Sequence, residues 1–334
     1  MSITVISGPG GTSMEIKLYK SIKELPREEK FAPGHAMCAG CGAAIAMRWL
    51  NKIVPDDTIF VIATGCVEVT TTACPYTAWL RPCIHVAFEN AAAVASGIEA
   101  AIKILRKKGV LSKDIKVVAI AGDGGTVDIG LQALSGMLER RHRVMYVLYD
   151  NEAYMNTGIQ RSGATPIYAW TTTTPVGRVL KGKLQEKKDI DGIVMAHKIP
   201  YMATTTIAYI LDMVNKFKKA LEYTEEGPTF VHVLCPCVPG WRIDPHMTVK
   251  LSRLAVETGM WINYEVEHGV FRVTTRVPKR KPVAEYIRPQ GRFRHLTDKD
   301  IEYIQKLVDE NVERINKLVG EQVIGPVETE TEKK

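Results

Sequence analysis

The chain has 334 residues, 46% of them hydrophobic and 24% charged, which is enough to bury the core of one large α/β domain with extensions. No stretch approaches the roughly 20 uninterrupted apolar residues of a membrane span, and residues 1–20 lack the pattern of a secretory signal. The net charge of +7 comes without zinc-finger, basic-zipper or RNA-binding signatures. We therefore predict neither membrane nor nucleic-acid binding, and a cytoplasmic location.

Hydrophobic patterns divide the chain into alternating strands and helices. Near-continuous apolar runs predict buried parallel strands, and apolar residues at helical spacing predict helices between them. The predicted strands cover 58–63, 116–122, 144–149 and 229–234. The predicted helices cover 43–50, 90–107, 128–140, 208–223 and 298–318. This alternation predicts an α/β fold with a doubly wound, mostly parallel sheet.

Other stretches interrupt the alternation. Residues 160–190 are polar and predict a long surface segment. After about residue 241 the pattern changes to mixed helices and short strands, and residues 328–334 predict a frayed end. The predicted parts are a polar N-terminal arm over 1–34, an α/β domain over 35–245 and a C-terminal extension with subunit contacts over 246–334.

Gly122, Asp123 and Gly124 follow the clearest strand, at the position where open α/β sheets bind ligands. The glycines let the backbone approach a phosphate closely, and the carboxylate is a hard oxygen ligand suited to Mg²⁺. Asn151 ends the next strand, and helix plus strand is the right length to return the chain beside Asp123. The pattern predicts a magnesium site formed by Asp123, the side-chain oxygen of Asn151 and the main-chain carbonyl of Ala153.

Seven cysteines in a chain without a secretory signal favour metal ligation over disulfides, because the cytoplasm keeps thiols reduced. Cys38 and Cys41 lie one short turn apart, and Cys66 and Cys237 each follow a predicted strand. Thiolates that meet at one sheet edge form a tetrathiolate site, which both zinc and a [4Fe–4S] cluster accept. The spacing alone leaves these two metals open.

The segment Tyr149-Asp-Asn-Glu-Ala-Tyr-Met-Asn-Thr-Gly-Ile-Gln160, with Gly-Asp-Gly upstream, resembles the thiamine-diphosphate enzymes. Within them it is similar to the 2-oxoacid:ferredoxin oxidoreductases, and further stretches between 76 and 296 resemble β subunits of the pyruvate branch. The resemblance implies a sheet of the thiamine-diphosphate-binding type. It also implies that Asn156 takes a catalytic position against cofactor and substrate. The implied cofactor-binding residues are Thr64, Gly65, Gly122, Asp123, Gly124, Gly125, Asn151, Ala153 and Asn156.

The same resemblance chooses between the metals. The family's Cys-x-Gly-Cys-Gly matches Cys38 and Cys41, its Thr-Gly-Cys matches Cys66, and its Pro-Cys before Gly-Trp matches Cys237. It implies one [4Fe–4S] cluster on these four cysteines, close to thiamine diphosphate and Mg²⁺.

Three cysteines have no position in that pattern. We expect Cys74 and Cys83 to be small, partly buried hydrophobic side chains. Cys235 shares a strand face with Cys237 if the strand continues through both, so only the Pro-Cys match separates them.

The resemblance implies one subunit of an enzyme that converts pyruvate and coenzyme A reversibly to acetyl-CoA and CO₂. Electrons would pass through [4Fe–4S] clusters to external ferredoxin. The implied partners are an α subunit, which supplies the thiamine-activating glutamate, and γ- and δ-type subunits, one of them ferredoxin-like. The alternatives are another substrate (2-oxoisovalerate, 2-oxoglutarate, indolepyruvate or oxalate), a non-oxidative thiamine decarboxylase or carboligase, and a zinc-stabilised non-catalytic scaffold.

Residues 276–294 carry seven basic side chains against a single acid, Glu285. Such a run is typical of a solvated surface or a subunit contact, and it can also face an acidic electron carrier. The sequence leaves these possibilities open.

Overall fold

A short antiparallel hairpin and an eight-stranded sheet form the β structure of the computed structural model, which describes residues 2–5 and 14–328. The hairpin pairs β1 (Ser2–Val5) with β2 (Met14–Lys17). The sheet contains β3 (Thr58–Ala63), β4 (Cys83–Val86), β5 (Lys116–Gly122), β6 (Val144–Asp150), β7 (Tyr201–Thr206), β8 (Thr229–Leu234), β9 (Tyr264–Glu267) and β10 (Val270–Val273).

The strands lie in the order β10-β9-β7-β8-β6-β5-β3-β4. Strands β3 to β8 pair in parallel, whereas β9 and β10 add an antiparallel edge. The mostly parallel α/β sheet predicted from the sequence is confirmed.

Helices pack on both faces of the sheet. Alternate residues of a strand point to opposite faces, so Phe60 and Ile62 join the core under α1 and α6, whereas Val61 and Ala63 join the core under α3 and α4. The sheet is therefore doubly wound, as expected. The helices are α1 (Gly42–Ile53), α2 (Cys66–Thr71), α3 (Ala91–Lys107), α4 (Leu131–Glu139), α5 (Ile190–Ala196), α6 (Ile210–Tyr223), α7 (Val238–Trp241), α8 (Thr248–Glu257), α9 (Ala284–Ile287) and α10 (Asp298–Val319).

Strand β7 was not predicted, because its sequence is rich in threonine and lacks a continuous apolar run. Threonine is β-branched and suits a strand when its hydroxyl finds a partner. Thr204 donates to the carbonyl of Ile262 at 2.6 Å, and Thr205 donates to Asp212 at 2.7 Å. These bonds let a polar strand lie in the interior of the sheet.

The C-terminal part of the chain joins the eight-stranded sheet, whereas the N-terminal hairpin forms a separate sheet. In the predicted extension, β9 pairs with β7, and α10 starts at a capping box between Thr297 and Asp300. Of the predicted arm, residues 1 and 6–13 lie outside the described residues, as do residues 329–334 of the predicted frayed end. The domain boundaries remain predictions.

The expectation of a surface segment over 160–190 is wrong for its first part. Residues 162–166 are buried, and Lys183 is only 1% exposed. The Lys183 ammonium donates to the carbonyls of Gly163, Thr165 and Glu186. Burial, followed by the charges of neighbouring cations, lowers the pKa of Lys183 to about 8. The polar composition therefore reflects buried hydrogen bonding that the sequence pattern does not distinguish from exposure.

The basic stretch 276–294 is largely paired within the chain. Five of its basic side chains form ion pairs with acids of the same chain that lie outside the stretch, and these acids neutralise much of its charge. The pairs are Arg276–Glu321, Arg280–Asp309, Lys281–Glu257, Arg288–Asp298 and Arg292–Glu152.

Among the described helices, none has the length and apolar character needed to cross a membrane.

Candidate cofactor and cluster site

Four loops meet at one edge of the sheet, at the carboxyl ends of neighbouring parallel strands. They follow β3, β5, β6 and β8, which lie side by side. This is the position at which open α/β sheets bind ligands. The loops carry residues 64–66, 122–124, 151–153 and 235–237.

A cavity of about 270 Å³ lies between these loops. Of the predicted cofactor-binding residues, Gly125 alone does not line it; its backbone packs against Phe88, where a Cβ would lie 2.9 Å from the carbonyl oxygen. A larger cavity of about 550 Å³ lies under α10 and is lined by other residues, including His232 and Trp261. The predicted residues that line the smaller cavity are Thr64, Gly65, Gly122, Asp123, Gly124, Asn151, Ala153 and Asn156.

The three predicted magnesium ligands converge through their oxygens. The side-chain oxygen of Asn151 lies 3.0 Å from Asp123 Oδ1 and 3.0 Å from the main-chain oxygen of Ala153. An octahedral Mg²⁺ with oxygens at roughly 2.0–2.1 Å separates adjacent ligands by about 2.9 Å. The spacing therefore fits adjacent positions around one cation. If the Asn151 amide is turned by 180°, its nitrogen donates to both oxygens instead.

Asp123 is buried at the base of this cavity. Burial, followed by the nearby charge of Asp150, raises the pKa of the Asp123 carboxyl well above its usual value. Its Oδ2 accepts a hydrogen bond from Ser162 Oγ at 2.5 Å. A divalent cation would oppose the shift, because it favours the ionised carboxylate. The electrostatics of the protein groups therefore favour a cation at this position.

The backbone at two predicted glycines lies against the buried ring of Tyr149. A Cβ on Gly65 would lie 2.5 Å from the Tyr149 hydroxyl, and a Cβ on Gly122 would lie 3.2 Å from the ring. Burial raises the pKa of this phenol well above its usual value, whereas a hydrogen bond from the Val67 main chain acts in the opposite direction. Glycine at these positions allows the loops after β3 and β5 to pack closely over one aromatic ring.

Two aromatic side chains that our reasoning from the sequence missed also line the cavity. Phe88 and Tyr154 have ring centroids 5.5 Å apart. A Cβ on Gly124 would lie 2.6 Å from the Tyr154 ring, so glycine is needed there for the ring to pack. The Tyr154 hydroxyl donates to Asp128 Oδ2 at 3.3 Å. The available signal was the position of Tyr154 two residues before Asn156 in the family segment.

Thr64 and Asn156 occupy different parts of the cavity wall. Thr64 Oγ1 lies 2.8 Å from His85 Nε2 and donates to the carbonyl of Val86 at 3.1 Å. His85 Nδ1 in turn lies 3.2 Å from Glu68. The Thr64 hydroxyl is thus engaged within the protein, whereas Asn156 is exposed and lines the cavity from its open side.

Three predicted cluster ligands stand at helix N-termini. Cys41 directly precedes α1, Cys66 is the first residue of α2, and Cys237 directly precedes α7. Main-chain N–H groups in the first turns of α1 and α7 donate to the sulfurs of Cys41 and Cys237. Such hydrogen bonds favour negatively charged sulfur.

The charges of the other three predicted cluster ligands act on Cys66. Burial, followed by the charges of Cys237, Cys41, Asp123 and Cys38, raises the pKa of Cys66 to about 12. Within residues 2–5 and 14–328, no three His, Cys, Asp or Glu side chains are placed to hold a single metal ion. A cubane cluster binds each thiolate to a different iron and therefore holds its thiolates further apart than one zinc ion does. Both zinc and a [4Fe–4S] cluster accept a set of four cysteine thiolates.

The remaining three cysteines differ in their burial. Strand β8 ends at Leu234, and Cys235 is buried with its Cα 2.9 Å from where a Cβ on Gly42 would lie. Cys83 is half-buried on β4, as expected. Cys74 is exposed, so the expectation of a partly buried side chain is wrong for it.

The chain is similar to a family of thiamine-diphosphate enzymes and to subunits of 2-oxoacid oxidoreductases. Residues 63–233 match the family described as thiamine pyrophosphate enzyme, C-terminal TPP binding domain. The pyruvate synthase subunit PorB of Methanocaldococcus jannaschii is 58% identical over 287 residues, covering 85% of this chain and 96% of that protein. The ketoisovalerate oxidoreductase subunit VorB of Pyrococcus abyssi is 47% identical over 284 residues, covering 84% and 91%.

A solved structure gives an independent comparison of the fold. The 2-oxoglutarate:ferredoxin oxidoreductase from Magnetococcus marinus matches with a TM-score of 0.52 and 21% identity, covering 71% of this chain and 82% of that chain. At this identity the similarity supports the fold alone.

Proposed function

The chain belongs to the 2-oxoacid:ferredoxin oxidoreductases, in the family of the pyruvate synthase subunits PorB, and we propose that its reaction is the coenzyme-A-dependent oxidative decarboxylation of pyruvate. The observation that carries this proposal is the meeting of two donor sets at one sheet edge. Three converging oxygens lie beside a glycine-lined cavity, and next to them lies Cys66, on which the charges of the other three predicted cluster ligands act. A 2-oxoacid oxidoreductase needs a decarboxylating cofactor next to an electron acceptor, and this edge offers sites for both.

Asp123, Asn151 and the carbonyl of Ala153 would hold Mg²⁺, and Gly122 and Gly124 line the cavity that would receive the diphosphate. When bound, thiamine diphosphate supplies the carbon nucleophile for decarboxylation of a 2-oxoacid. Asp123 and Asn151 would hold its diphosphate end at the carboxyl ends of β5 and β6. Asn156, exposed at the open side of the cavity, would contact the cofactor and the substrate.

Cys38, Cys41, Cys66 and Cys237 would hold one [4Fe–4S] cluster. The N–H groups that donate to the sulfurs of Cys41 and Cys237 would stabilise negative charge on such a cluster. Reduced thiols are needed for assembly, and the seven free cysteines suit a cytoplasmic location. Electrons would leave through a ferredoxin-like subunit to external ferredoxin.

The cofactor site on this chain is proposed to be one half of a complete site. Its cavity of about 270 Å³ is below the roughly 300–1,000 Å³ typical of ligand pockets. An α-type subunit would cover it and supply the thiamine-activating glutamate, and γ- and δ-type subunits would complete the complex. The isolated chain would therefore bind cofactors without turning over.

Another 2-oxoacid is the second candidate substrate. The 47% identity to a ketoisovalerate oxidoreductase subunit favours 2-oxoisovalerate among the alternatives. 2-Oxoglutarate, indolepyruvate and oxalate should also be tested as substrates, because a partner subunit would provide most contacts to the substrate.

The test is anaerobic viologen reduction by the complex that copurifies with this chain. We expect reduction that depends on coenzyme A and is fastest with pyruvate, whereas another preferred substrate would move the proposal to that branch. The complex should contain iron, sulfide and thiamine diphosphate. No reduction with any 2-oxoacid in such a preparation would overturn the proposed reaction, and zinc in place of iron would support the scaffold alternative.

A further inference from the structure

Glu152 lies between the two proposed metal ligands of the loop after β6. It has a backbone φ of +69°, in the left-handed region that a side-chain-bearing residue seldom adopts. This conformation carries the Asn151 side chain and the Ala153 carbonyl toward Asp123 together. Residues in sparsely populated backbone regions persist when surrounding contacts hold them.

The contacts that hold Glu152 come mainly from its carboxylate. One oxygen lies 2.5 Å from Nη2 of Arg292, and the other is paired with Lys187. Glu152 and Arg292 are 3% and 2% exposed, so water cannot replace either partner. The main chain of Glu152 is fixed as well, because its carbonyl accepts a hydrogen bond from Thr165 at 2.7 Å.

Arg292 also contacts the helix that follows a proposed cluster ligand. Its guanidinium lies over the Trp241 ring, 4.0 Å from the centroid. Trp241 ends α7, which begins directly after Cys237, and its indole N–H donates to the carbonyl of Asn151 at 2.9 Å. Arg292 is held in turn by Gln290, which accepts from its Nε at 2.9 Å. One buried guanidinium therefore links the metal-ligand loop to the helix beside the cluster.

We propose that Arg292, from the C-terminal extension, is a positioning residue that fixes Asn151 and Ala153 for the divalent cation through its ion pair with Glu152. Arg292 does not line the proposed cofactor cavity and would act through the loop. The inference rests on the proposed function, because it takes Asn151 and Ala153 as metal ligands. Arg292 has the geometry for this role, since its planar guanidinium pairs with a carboxylate at one edge and stacks on an indole with its face.

Arg292→Met is the main test, and Arg280→Met is its matched control. Arg280 lies in the same extension and is 4% exposed, but its guanidinium pairs with Asp309 at 2.7 Å and donates to the carbonyl of Gly325 instead of contacting the metal-ligand loop. Mn²⁺ replaces Mg²⁺ as the probe in the assembled complex with thiamine diphosphate. Its binding is followed by the loss of the room-temperature paramagnetic resonance signal of free Mn²⁺, and thermal unfolding is measured on the same samples.

We expect Arg292→Met to raise the Mn²⁺ dissociation constant by about 10- to 100-fold, the usual effect of removing support behind a metal ligand. Arg292→Lys should restore part of the affinity, since it returns the charge without the planar stack. Arg280→Met should lower thermal stability with the dissociation constant unchanged. If Arg292→Met prevents assembly, Glu152→Gln removes the same ion pair at constant size and should weaken Mn²⁺ binding in the same way.

Two outcomes would overturn the inference, and only one of them would also overturn the proposed cofactor site. Wild-type Mn²⁺ affinity in Arg292→Met, or in Glu152→Gln where that variant substitutes for it, would remove the positioning role and leave the proposed cofactor site intact. A wild-type complex that binds no Mn²⁺ with thiamine diphosphate would overturn both.

Discussion

Asp123 and Asn151 face each other through oxygen atoms 3.0 Å apart, at the ends of the neighbouring strands β5 and β6. Their approach is not stabilised by a hydrogen bond in this orientation of the amide, and Asp123 is also close to the charge of Asp150. Sites that violate the usual rules of polar satisfaction are commonly functional. Without a cation the Asn151 amide turned by 180° donates to both oxygens, so the unfavourable contribution that remains is the burial of the Asp123 carboxyl beside Asp150.

Asp123→Asn should therefore stabilise the chain while removing its metal site. We expect the free energy of unfolding without metal to rise by about 1–3 kcal/mol, because a buried charge is replaced by a neutral amide of the same size. Mn²⁺ affinity in the presence of thiamine diphosphate should fall at least 100-fold, or about 2.7 kcal/mol. Urea unfolding and Mn²⁺ titration measure the two effects.

Asp128→Asn is the matched control for this substitution. Asp128 lies beside the same cavity, but its carboxylate is engaged by Lys188 at 2.9 Å and by the main-chain N–H of Gly163 at 2.7 Å. Its loss should destabilise the chain and leave Mn²⁺ affinity near that of the wild type. Equal losses of affinity in both variants would argue against Asp123 as a specific ligand.

Replacement of each proposed cluster ligand by serine should remove iron and acid-labile sulfide from anaerobically prepared complex. Serine is a poor substitute because iron–sulfur clusters prefer thiolate ligands. The measurements are iron and sulfide content and the low-temperature paramagnetic resonance of the dithionite-reduced protein. The variants are Cys38→Ser, Cys41→Ser, Cys66→Ser and Cys237→Ser.

The other cysteines provide the controls. Cys74→Ser on the surface and Cys83→Ser on β4 should keep the wild-type iron content. Cys235→Ser should also keep its iron but lose stability, because that side chain is buried beside α1. If Cys235→Ser lost the cluster and Cys237→Ser kept it, the assignment of these two residues would have to be exchanged.

Gly65→Ala should destabilise the chain through a single steric contact. The new Cβ would lie 2.5 Å from the Tyr149 hydroxyl but 3.9 Å from the ring carbon that bears it. We expect a loss of about 1–3 kcal/mol, the usual cost of overpacking. Tyr149→Phe in the same chain should recover most of this lost stability, because only the hydroxyl oxygen overlaps the new Cβ.

Gly122→Ala tests whether this rescue is specific. A Cβ at Gly122 would lie 3.2 Å from ring carbons of Tyr149 as well as from its hydroxyl, so Tyr149→Phe should recover little there. Double-mutant cycles from urea unfolding give the two coupling energies. Similar coupling at Gly65 and Gly122 would contradict the proposed contact.

The strands that carry the site were predictable because they are apolar on both faces. Runs such as that of β5 indicate a buried parallel strand, and loops after such strands are where ligands bind, so the position of Asp123 followed from pattern alone. Strand β7 was missed because the partners that satisfy its threonine hydroxyls are distant in sequence, such as Ile262 for Thr204. The partnership of Glu152 with Arg292 was also invisible, since 140 positions separate the two residues.

The site itself divides in the same way. Glycine and acid spacing indicated which backbone would line a cavity, because those residue types have few alternatives at a phosphate or a cation. The aromatic wall of Phe88 and Tyr154 was missed, because an aromatic residue in a strand-to-helix segment is equally compatible with an ordinary core. For the basic stretch 276–294, the sequence suggested more than the structure supports. Its charge indicated a partner, whereas acids of the same chain neutralise much of that charge.

His232 should make the stability of the chain depend on pH above neutrality. Its ring lies between two carboxylates, with Nδ1 2.9 Å from Asp191 and Nε2 3.1 Å from Asp150. Burial alone would lower the pKa of His232, but the charges and hydrogen bonds of Asp191 and Asp150 outweigh it and raise the pKa to about 9, from 6.5. The stabilisation is complete below pH 6.5 and is lost as the pH rises through about 9, because only the protonated ring pairs with both acids.

Between these pH values the wild-type chain should lose stability on the order of 3 kcal/mol through this group. His232→Gln replaces the ring with an amide, which forms hydrogen bonds but does not titrate. The free energy of unfolding of this variant should therefore be lower than that of the wild type at pH 6.5 and nearly independent of pH up to 9. Asp191→Asn should reduce the slope without abolishing it, since Asp150 still faces the ring. Urea unfolding at intervals across this range measures the slopes, and a slope in His232→Gln equal to that of the wild type would show that other groups cause the dependence.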